Sequence, residues 1–247
     1  MKNNYQIIIE YDGTSYVGWQ YQKNGISIQE ILEKTLKKFL KENIKIIGAG
    51  RTDAGVHALG QCANFFLNKK INNKKSFLSS INFFLNDSLI SIVDIKKKKL
   101  EFNSRFSAKE RTYEYRIINR ESKLAINKNR AWLVRQKIDL NLLKKGAKLL
   151  QGTHDFSTFR ASSCSAKSPI KKINSVKVKK KKENILIEFK SQSFLQNQVR
   201  SMVGSLKYLS CKNWDLKRFK KVLKSKKRKY CAPPAPAMGL YLTNIKY

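Results

Sequence analysis

Few residues in this chain of 247 could build a metal-bound or disulfide-bonded scaffold, since it has only four cysteines and two histidines. The cysteines are widely separated and form no Cys-x-x-Cys pair, so their spacing argues against a zinc knuckle. The histidines also lack a partner at metal-site spacing. We therefore expect no metal, and reduced thiols in a cytoplasmic protein. The residues concerned are Cys62, Cys164, Cys211, Cys231, His57 and His154.

Acidic residues and long apolar runs are also scarce. Seventeen Asp and Glu residues face 52 Lys and Arg residues, which gives a formal net charge of +35. Self-repulsion of that size is relieved when the protein binds a polyanion, so a nucleic acid is the expected partner. The apolar runs are short and interrupted by Lys or Asn, which predicts that no segment spans a membrane.

The large lysine content has two interpretations. Only 11 of the 52 basic residues are arginines, and lysine, asparagine and isoleucine are all abundant. These three residues have A- or AU-rich codons, so either a nucleic-acid surface or a biased genome explains the lysines. The arginines are therefore expected to be the more informative cations.

The hydrophobic pattern predicts an α+β fold with a mostly antiparallel sheet, because strands and helices mix without a strict βαβ rhythm. A hydrophobic fraction of 41% is enough for a packed core. We expect a division near residue 104, into halves 1–104 and 105–247. The predicted strands are 5–11, 44–49, 61–67, 90–100, 109–118, two within 170–189, and 240–245; the predicted helices are 28–40, 76–85, 140–150 and 195–209.

The most informative stretch is Gly48 to Ala58, in which three glycines surround one carboxylate, Asp53. Glycine allows sharp turns and close approach of the backbone to a ligand. In the structural interpretation, Asp53 simply forms an Asx turn or caps a helix. Alternatively it is a nucleophile or base kept ionised by the nearby Arg51 guanidinium.

Three further residues are candidates, each with an ordinary structural alternative. Arg51 could bind phosphate or pair with Asp53. Tyr113 lies on the apolar face of a predicted strand and is either a core residue or a platform for an extruded base. Arg200 lies at the edge of an apolar helix stripe, where it either reaches to the surface or pairs with a carboxylate, for which Asp53 is one candidate.

Several blocks of the sequence together resemble the tRNA pseudouridine synthase A family. Gly50-Arg-Thr-Asp-Ala-Gly-Val-His-Ala58 is similar to the family's active-site signature. Six such blocks in the same order cover nearly the whole chain, which makes the resemblance specific. The other blocks are Glu10–Thr14 with Gly18–Gln20, Arg105–Ala108 with Arg111–Tyr115, Gly152–Phe156, Phe194–Leu206, and Ala235–Ala237 with Gly239–Leu242.

This resemblance implies an isomerase that converts uridine to pseudouridine at tRNA positions 38, 39 and 40, in the anticodon arm. It implies no cofactor, no metal, a homodimer, and two related halves around a central cleft. Asp53 is then the nucleophile, Arg51 helps to extrude the nucleotide, Tyr113 stacks on the flipped base and Arg200 pairs with Asp53. One departure is visible, since Asn197 stands where the family commonly has histidine.

The chemistry leaves three routes open for Asp53: attack on the ribose C1′, addition to C6 of the base, or removal of a 2′ proton to give a glycal. Three other functions are alternatives. A non-catalytic RNA chaperone would use the basic surface alone. A DNA-binding protein would show a recognisable motif such as helix-turn-helix. A carboxylate hydrolase usually needs a second acid or a metal, and nothing near Asp53 in the sequence supplies either.

Overall fold

A computed structural model describes residues 2–247, which divide into two compact units. The first unit contains the described part of Met1–Lys109 together with Tyr241–Tyr247, and the second contains Glu110–Leu240. In chain order the strands and α-helices are β1 (Asn3–Tyr11), α1 (Ile28–Leu40), β2 (Ile46–Gly48), β3 (His57–Leu67), α2 (Lys74–Phe84), β4 (Ile90–Lys98), β5 (Glu110–Asn119), β6 (Trp132–Val134), α3 (Leu140–Leu149), β7 (Gly152–Asp155), β8 (Ile170–Lys181), β9 (Asn184–Ser191), α4 (Gln198–Ser210), α5 (Leu216–Lys224) and β10 (Leu240–Lys246).

The first unit is built on β1 and β3, which pair antiparallel over most of their length. β4 flanks β1, β10 lies parallel to β3, and the short β2 also pairs with β3. Alternate residues of β1 point into the core, where Ile7 and Ile9 are fully buried. This alternation is the pattern expected for a strand with one face on a hydrophobic core.

α1 begins at a capping box formed by Ser27 and Glu30. The Ser27 Oγ accepts the Glu30 backbone N–H at 3.2 Å, and the Ser27 backbone N–H bonds the Glu30 carboxylate in return. The helix buries Ile28, Leu32 and Leu36 on one face. That spacing of four residues places the three side chains on one stripe, so the helix packs by its apolar face.

In the second unit the strand order is β5-β9-β8-β7, with all three neighbouring pairs antiparallel, and β6 pairs in parallel with β5. α3, α4 and α5 pack against one another. Gly146 of α3 allows this approach, because a Cβ there would meet Leu206, Leu209 and Phe219.

The predicted α+β class with mostly antiparallel pairing is confirmed. The differences include the start of β3 and a helix that was not predicted. β3 begins at His57, four residues before the predicted start, because its first residues pair with β10 from the far end of the chain. α5 was not predicted, although Asp215 caps it and Phe219, Val222 and Leu223 form its buried face. The many lysines of this segment make its apolar pattern hard to recognise in the sequence.

Candidate active site

The Asp53 loop connects β2 to β3, and hydrogen bonds to β3 fix its first two residues. The Ala49 N–H donates to the Cys62 carbonyl at 2.8 Å, and the Gln61 side-chain amide donates to the Gly50 carbonyl at 2.9 Å. Within the loop, the Val56 N–H donates to the Asp53 carbonyl at 3.2 Å. The turn that carries Asp53 is therefore held to the sheet at its start, and it continues directly into β3 at His57.

A second loop, the segment 12–20 after β1, clasps the Asp53 loop from the other side. The Trp19 N–H donates to the Thr52 carbonyl at 3.1 Å, and the Gly55 N–H donates to the Tyr16 carbonyl at 3.3 Å. The Tyr11 hydroxyl lies 2.8 Å from the Thr52 Oγ1. This segment 12–20, which we call the clasp loop, was not predicted to contact Asp53; its glycines were the available signal.

Gly18 allows the clasp loop to approach so closely. Its φ of +112° lies in a region that L side chains rarely adopt, and a Cβ there would lie 2.6 Å from the Thr52 carbonyl oxygen. Gly18 also forms an isolated antiparallel bridge with Asp53. The position of Asp53 thus depends on backbone contacts that only glycine permits.

Arg51, Thr52 and Asp53 differ in exposure. Arg51 is exposed, Thr52 is buried and Asp53 is half-buried. The buried Thr52 fixes the loop, and its two neighbours stay accessible to a large ligand. Arg51 and Asp53 therefore lie on one loop of the first unit, as their spacing predicted.

His57 supports the Asp53 loop where it joins β3. The ring is buried and stacks on Tyr241, with centroids 4.7 Å apart. Its Nδ1 accepts the Gly13 N–H at 3.1 Å and lies 3.2 Å from the Asp12 Oδ1. These contacts fit the structural role that the sequence favours for His57 and link it to the clasp loop.

Tyr113 lies on β5 in the second unit, opposite Phe189 of β9. Its side chain is buried, with 7% of its surface exposed, and it meets Phe194 edge-on at 5.3 Å. A ring held in this way keeps a fixed orientation. The contacts suit a core residue and also a rigid stacking surface.

Arg200 lies on α4, also in the second unit, and its guanidinium is held by two acceptors. Nε donates to the Ala235 carbonyl at 2.8 Å, and one terminal nitrogen donates to the Asn197 Oδ1 at 3.1 Å. Asn197, the residue that departs from the family pattern, has a left-handed φ of 60° just before α4. Its structural role is therefore to orient Arg200, which the resemblance to the family did not predict.

The proline-containing segment beside Arg200 is fixed by a second buried group. The Tyr115 hydroxyl donates to the Pro236 carbonyl at 2.7 Å, and burial raises the pKa of Tyr115 well above its usual value, against the opposing effect of the Arg200 charge. The Ala235 N–H also donates to the Arg200 carbonyl at 2.9 Å. Arg200 is thus part of a hydrogen-bonded unit with this segment.

Residues 2–247 contain neither a cluster of metal-ligating side chains nor a helix that could span a membrane. Nowhere in that range do three or more His, Cys, Asp or Glu side chains gather as a metal ion would require. No helix in the same range combines the length and the apolar character needed to cross a bilayer.

Comparison with known proteins identifies relatives of this chain. The sequence model of a family described as tRNA pseudouridine synthase matches residues 7–107 and 147–247. The tRNA pseudouridine synthase A of Pelagibacter ubique (strain HTCC1062) is 58% identical over 98% of this chain and 99% of its own length. The proteins of the same name from Parvibaculum lavamentivorans and Ehrlichia canis are 42% and 43% identical, each over 98% of this chain and over 98% and 99% of their own lengths.

The role of Gly18 can be tested with Gly18→Ala, using Gly152→Ala as the control. Both glycines have positive φ, but a Cβ at Gly152 would meet only the His154 ring nitrogen, at 3.6 Å. Both variants should lose about 1–2 kcal/mol of stability through backbone strain. Only Gly18→Ala should speed hydrogen–deuterium exchange in the peptide that spans residues 48–57. Equal exchange in the two variants would show that the clasp does not hold the Asp53 loop.

Proposed function

The chain belongs to the tRNA pseudouridine synthase family, and we propose that it acts on uridines 38, 39 and 40 of the tRNA anticodon arm with Asp53 as the nucleophile. As a member of this family the protein is an isomerase that converts uridine in tRNA to pseudouridine. The Asp53 assignment rests on the position of this residue. Asp53 is half-buried, two residues from the exposed Arg51, on a loop that is anchored by β3 and by the clasp loop.

The reaction needs little beyond one positioned carboxylate. The N-glycosidic bond between C1′ and N1 breaks, the uracil turns, and a new bond joins C1′ to C5. The proton on C5 leaves to solvent and N1 gains a proton, so nothing is oxidised or hydrolysed. Attack on C1′, addition to C6 and the glycal route each begin with an ionised carboxylate. A rigidly held Asp53 meets that requirement in all three.

A target base inside a stacked arm must first be extruded, at a cost of a few kcal/mol. We assign to Arg51 the task of helping this extrusion and filling the vacated place, because its long cationic side chain is exposed two residues from Asp53. Because Arg51 is exposed on an anchored loop, its guanidinium can reach a phosphate or a base without any unfolding of the protein, which supports this role.

Tyr113 and Arg200 are assigned roles through their counterparts in the family. Tyr113 stacks on the flipped base, which its fixed, edge-packed ring supports. Arg200 pairs with the Asp53 carboxylate, and its pre-orientation by Ala235 and Asn197 supports this role, since it lowers the entropy cost of forming an ion pair. In this proposal residues 1–104 carry the nucleophile and residues 105–247 complete the cleft.

The nucleophile is tested by Asp53→Asn, an almost isosteric change that removes the negative charge. Tritium release from tRNA containing 5-tritiated uridine should fall below about one thousandth of the wild-type rate. Binding of tRNA should persist, because the loop contacts described above involve backbone atoms of this residue. The matched control is Asp87→Asn, at an exposed turn of the same unit, which should keep full activity.

Full activity of Asp53→Asn would overturn the assignment. Absence of tritium release from the wild-type protein, together with retained tRNA binding, would instead favour the RNA chaperone. Mapping pseudouridine in the treated tRNA then shows whether positions 38, 39 and 40 are the targets.

The lysine run 179–182 lies at the turn between β8 and β9, and all four of its lysines are exposed. Substitution of this run distinguishes RNA binding from codon usage as the reason for the lysines. Changing all four to glutamine should weaken tRNA binding and flatten the plot of log K against log salt, by about 0.9 for each phosphate that the variant no longer neutralises. The same four positions changed to arginine should keep the slope. An unchanged slope in the glutamine variant would indicate that codon usage, not RNA binding, explains this run.

We also assign the protein to the cytoplasm and expect it to act as a homodimer, as the resemblance implies. Light scattering at micromolar concentration should then give about twice the chain mass of 28.6 kDa. A mass of one chain across that range would contradict the dimer and leave the assignment of Asp53 untouched.

A further inference from the structure

Phe106 is an aromatic side chain that the fold presents to solvent. Its exposed fraction is 79%, and it follows Arg105, which is also exposed. A phenyl ring in this position gives up the burial that stabilises most phenylalanines. A single exposed apolar residue is common, so its surroundings decide whether it has a function.

The loop that carries Phe106 is rigid. The Asn103 Oδ1 accepts the backbone N–H groups of Arg105 and Phe106, at 3.0 and 3.2 Å. The Ser107 N–H donates to the Asn103 carbonyl at 2.9 Å, and the Asn103 N–H donates to the Ser107 Oγ at 3.2 Å. A ring on a closed turn of this kind loses little backbone entropy when it binds a ligand.

Buried polar residues of the first unit fix this turn to the sheet. The Ser104 N–H donates to the Asn64 Oδ1 at 2.8 Å, and the Tyr247 hydroxyl donates to the Ser104 carbonyl at 3.0 Å. Ser104 and Asn64 are both fully buried. The fold therefore anchors the neighbour of Phe106 firmly and leaves the ring outside.

The sequence around Phe106 is rich in cations. The Arg105 guanidinium lies 5.4 Å from the centroid of the Phe106 ring. The stretch 96–109 contains six basic residues and one acidic residue, Glu101. The six are Lys96, Lys97, Lys98, Lys99, Arg105 and Lys109.

We propose that Phe106 and Arg105 form a stacking site for an unpaired base of the tRNA, separate from the target uridine. Aromatic rings and guanidinium planes stack on bases whose faces are free, and the surrounding cations hold the phosphates. A second copy of this protein is a less suitable partner than RNA, because a symmetric contact between two copies would bring two positively charged clusters together. The proposal rests on the proposed function for its RNA partner and adds a contact that the reaction itself does not require.

Phe106→Ala tests the site, and Phe83→Ala is the matched control. Phe83 is also 79% exposed in the same unit, but its ring meets the Phe84 ring edge-on, at 6.2 Å, and not an arginine on the same turn. We expect Phe106→Ala to raise the Kd for an unmodified tRNA transcript roughly 5- to 150-fold. Phe83→Ala should stay within about twofold of the wild type, as expected for a surface substitution away from a binding site.

Two more variants and a second ligand separate stacking from other effects. Phe106→Tyr keeps an aromatic ring and should bind tRNA like the wild type. Phe106→Leu keeps apolar volume without a ring and should bind as weakly as Phe106→Ala. A continuous RNA duplex has no free base face, so its Kd should not change in any variant.

Three outcomes would overturn the site. Wild-type tRNA affinity in Phe106→Ala would show that no base stacks there. An equal loss of duplex binding would show that the substitution acts through the general surface. A change in the mass of the particle by light scattering, with unchanged tRNA affinity per chain, would assign the ring to a contact between copies. In each case pseudouridine formation by the wild-type protein would leave the proposed function standing.

Discussion

The central contact of the candidate site is the backbone hydrogen bond from the Trp19 N–H to the Thr52 carbonyl. It joins two loops that are well separated in sequence, and Gly18 makes the approach possible. Trp19 is itself buried, and its ring lies where a Cβ on Gly48 would be, at the end of β2. A single buried indole therefore fixes both the start of the Asp53 loop and the loop that clasps it.

This arrangement explains how the protein holds a carboxylate in a fixed position on a loop. A loop is ordinarily the most mobile part of a domain. Here the Asp53 loop is held by β3 on one side and by the clasp loop on the other, so the order is supplied by backbone hydrogen bonds and a buried threonine. Pre-organisation of this kind keeps a reactive group in place before the substrate arrives, which is where much of the advantage of an enzyme lies.

The sequence predicts much of this fold because its strongest signals are local. The apolar stripe that predicts α1 is determined by residues a few positions apart, and the helix is confirmed over Ile28–Leu40. The early start of β3 was missed because His57 pairs with Tyr241, which is about three quarters of the chain length away. The clasp loop was missed for the same reason, since glycine content signals a turn but not the partner that the turn approaches. The motif located Asp53 and Arg51, whereas their anchoring could be found only in three dimensions.

The arginines also behave differently from the sequence expectation that they are the more informative cations for RNA. Most of them donate hydrogen bonds inside their own unit: Arg111, Arg116, Arg120, Arg135, Arg160, Arg200 and Arg228. The planar guanidinium suits this use, because it bridges carbonyls and carboxylates with fixed geometry. The exposed lysines, as in the run 179–182, then carry most of the mobile positive charge. Such charge attracts a polyanion from a distance but gives little sequence information. We therefore propose that selection of a particular nucleotide comes from accessible groups on anchored loops, as Arg51, Asp53 and the Phe106 turn are.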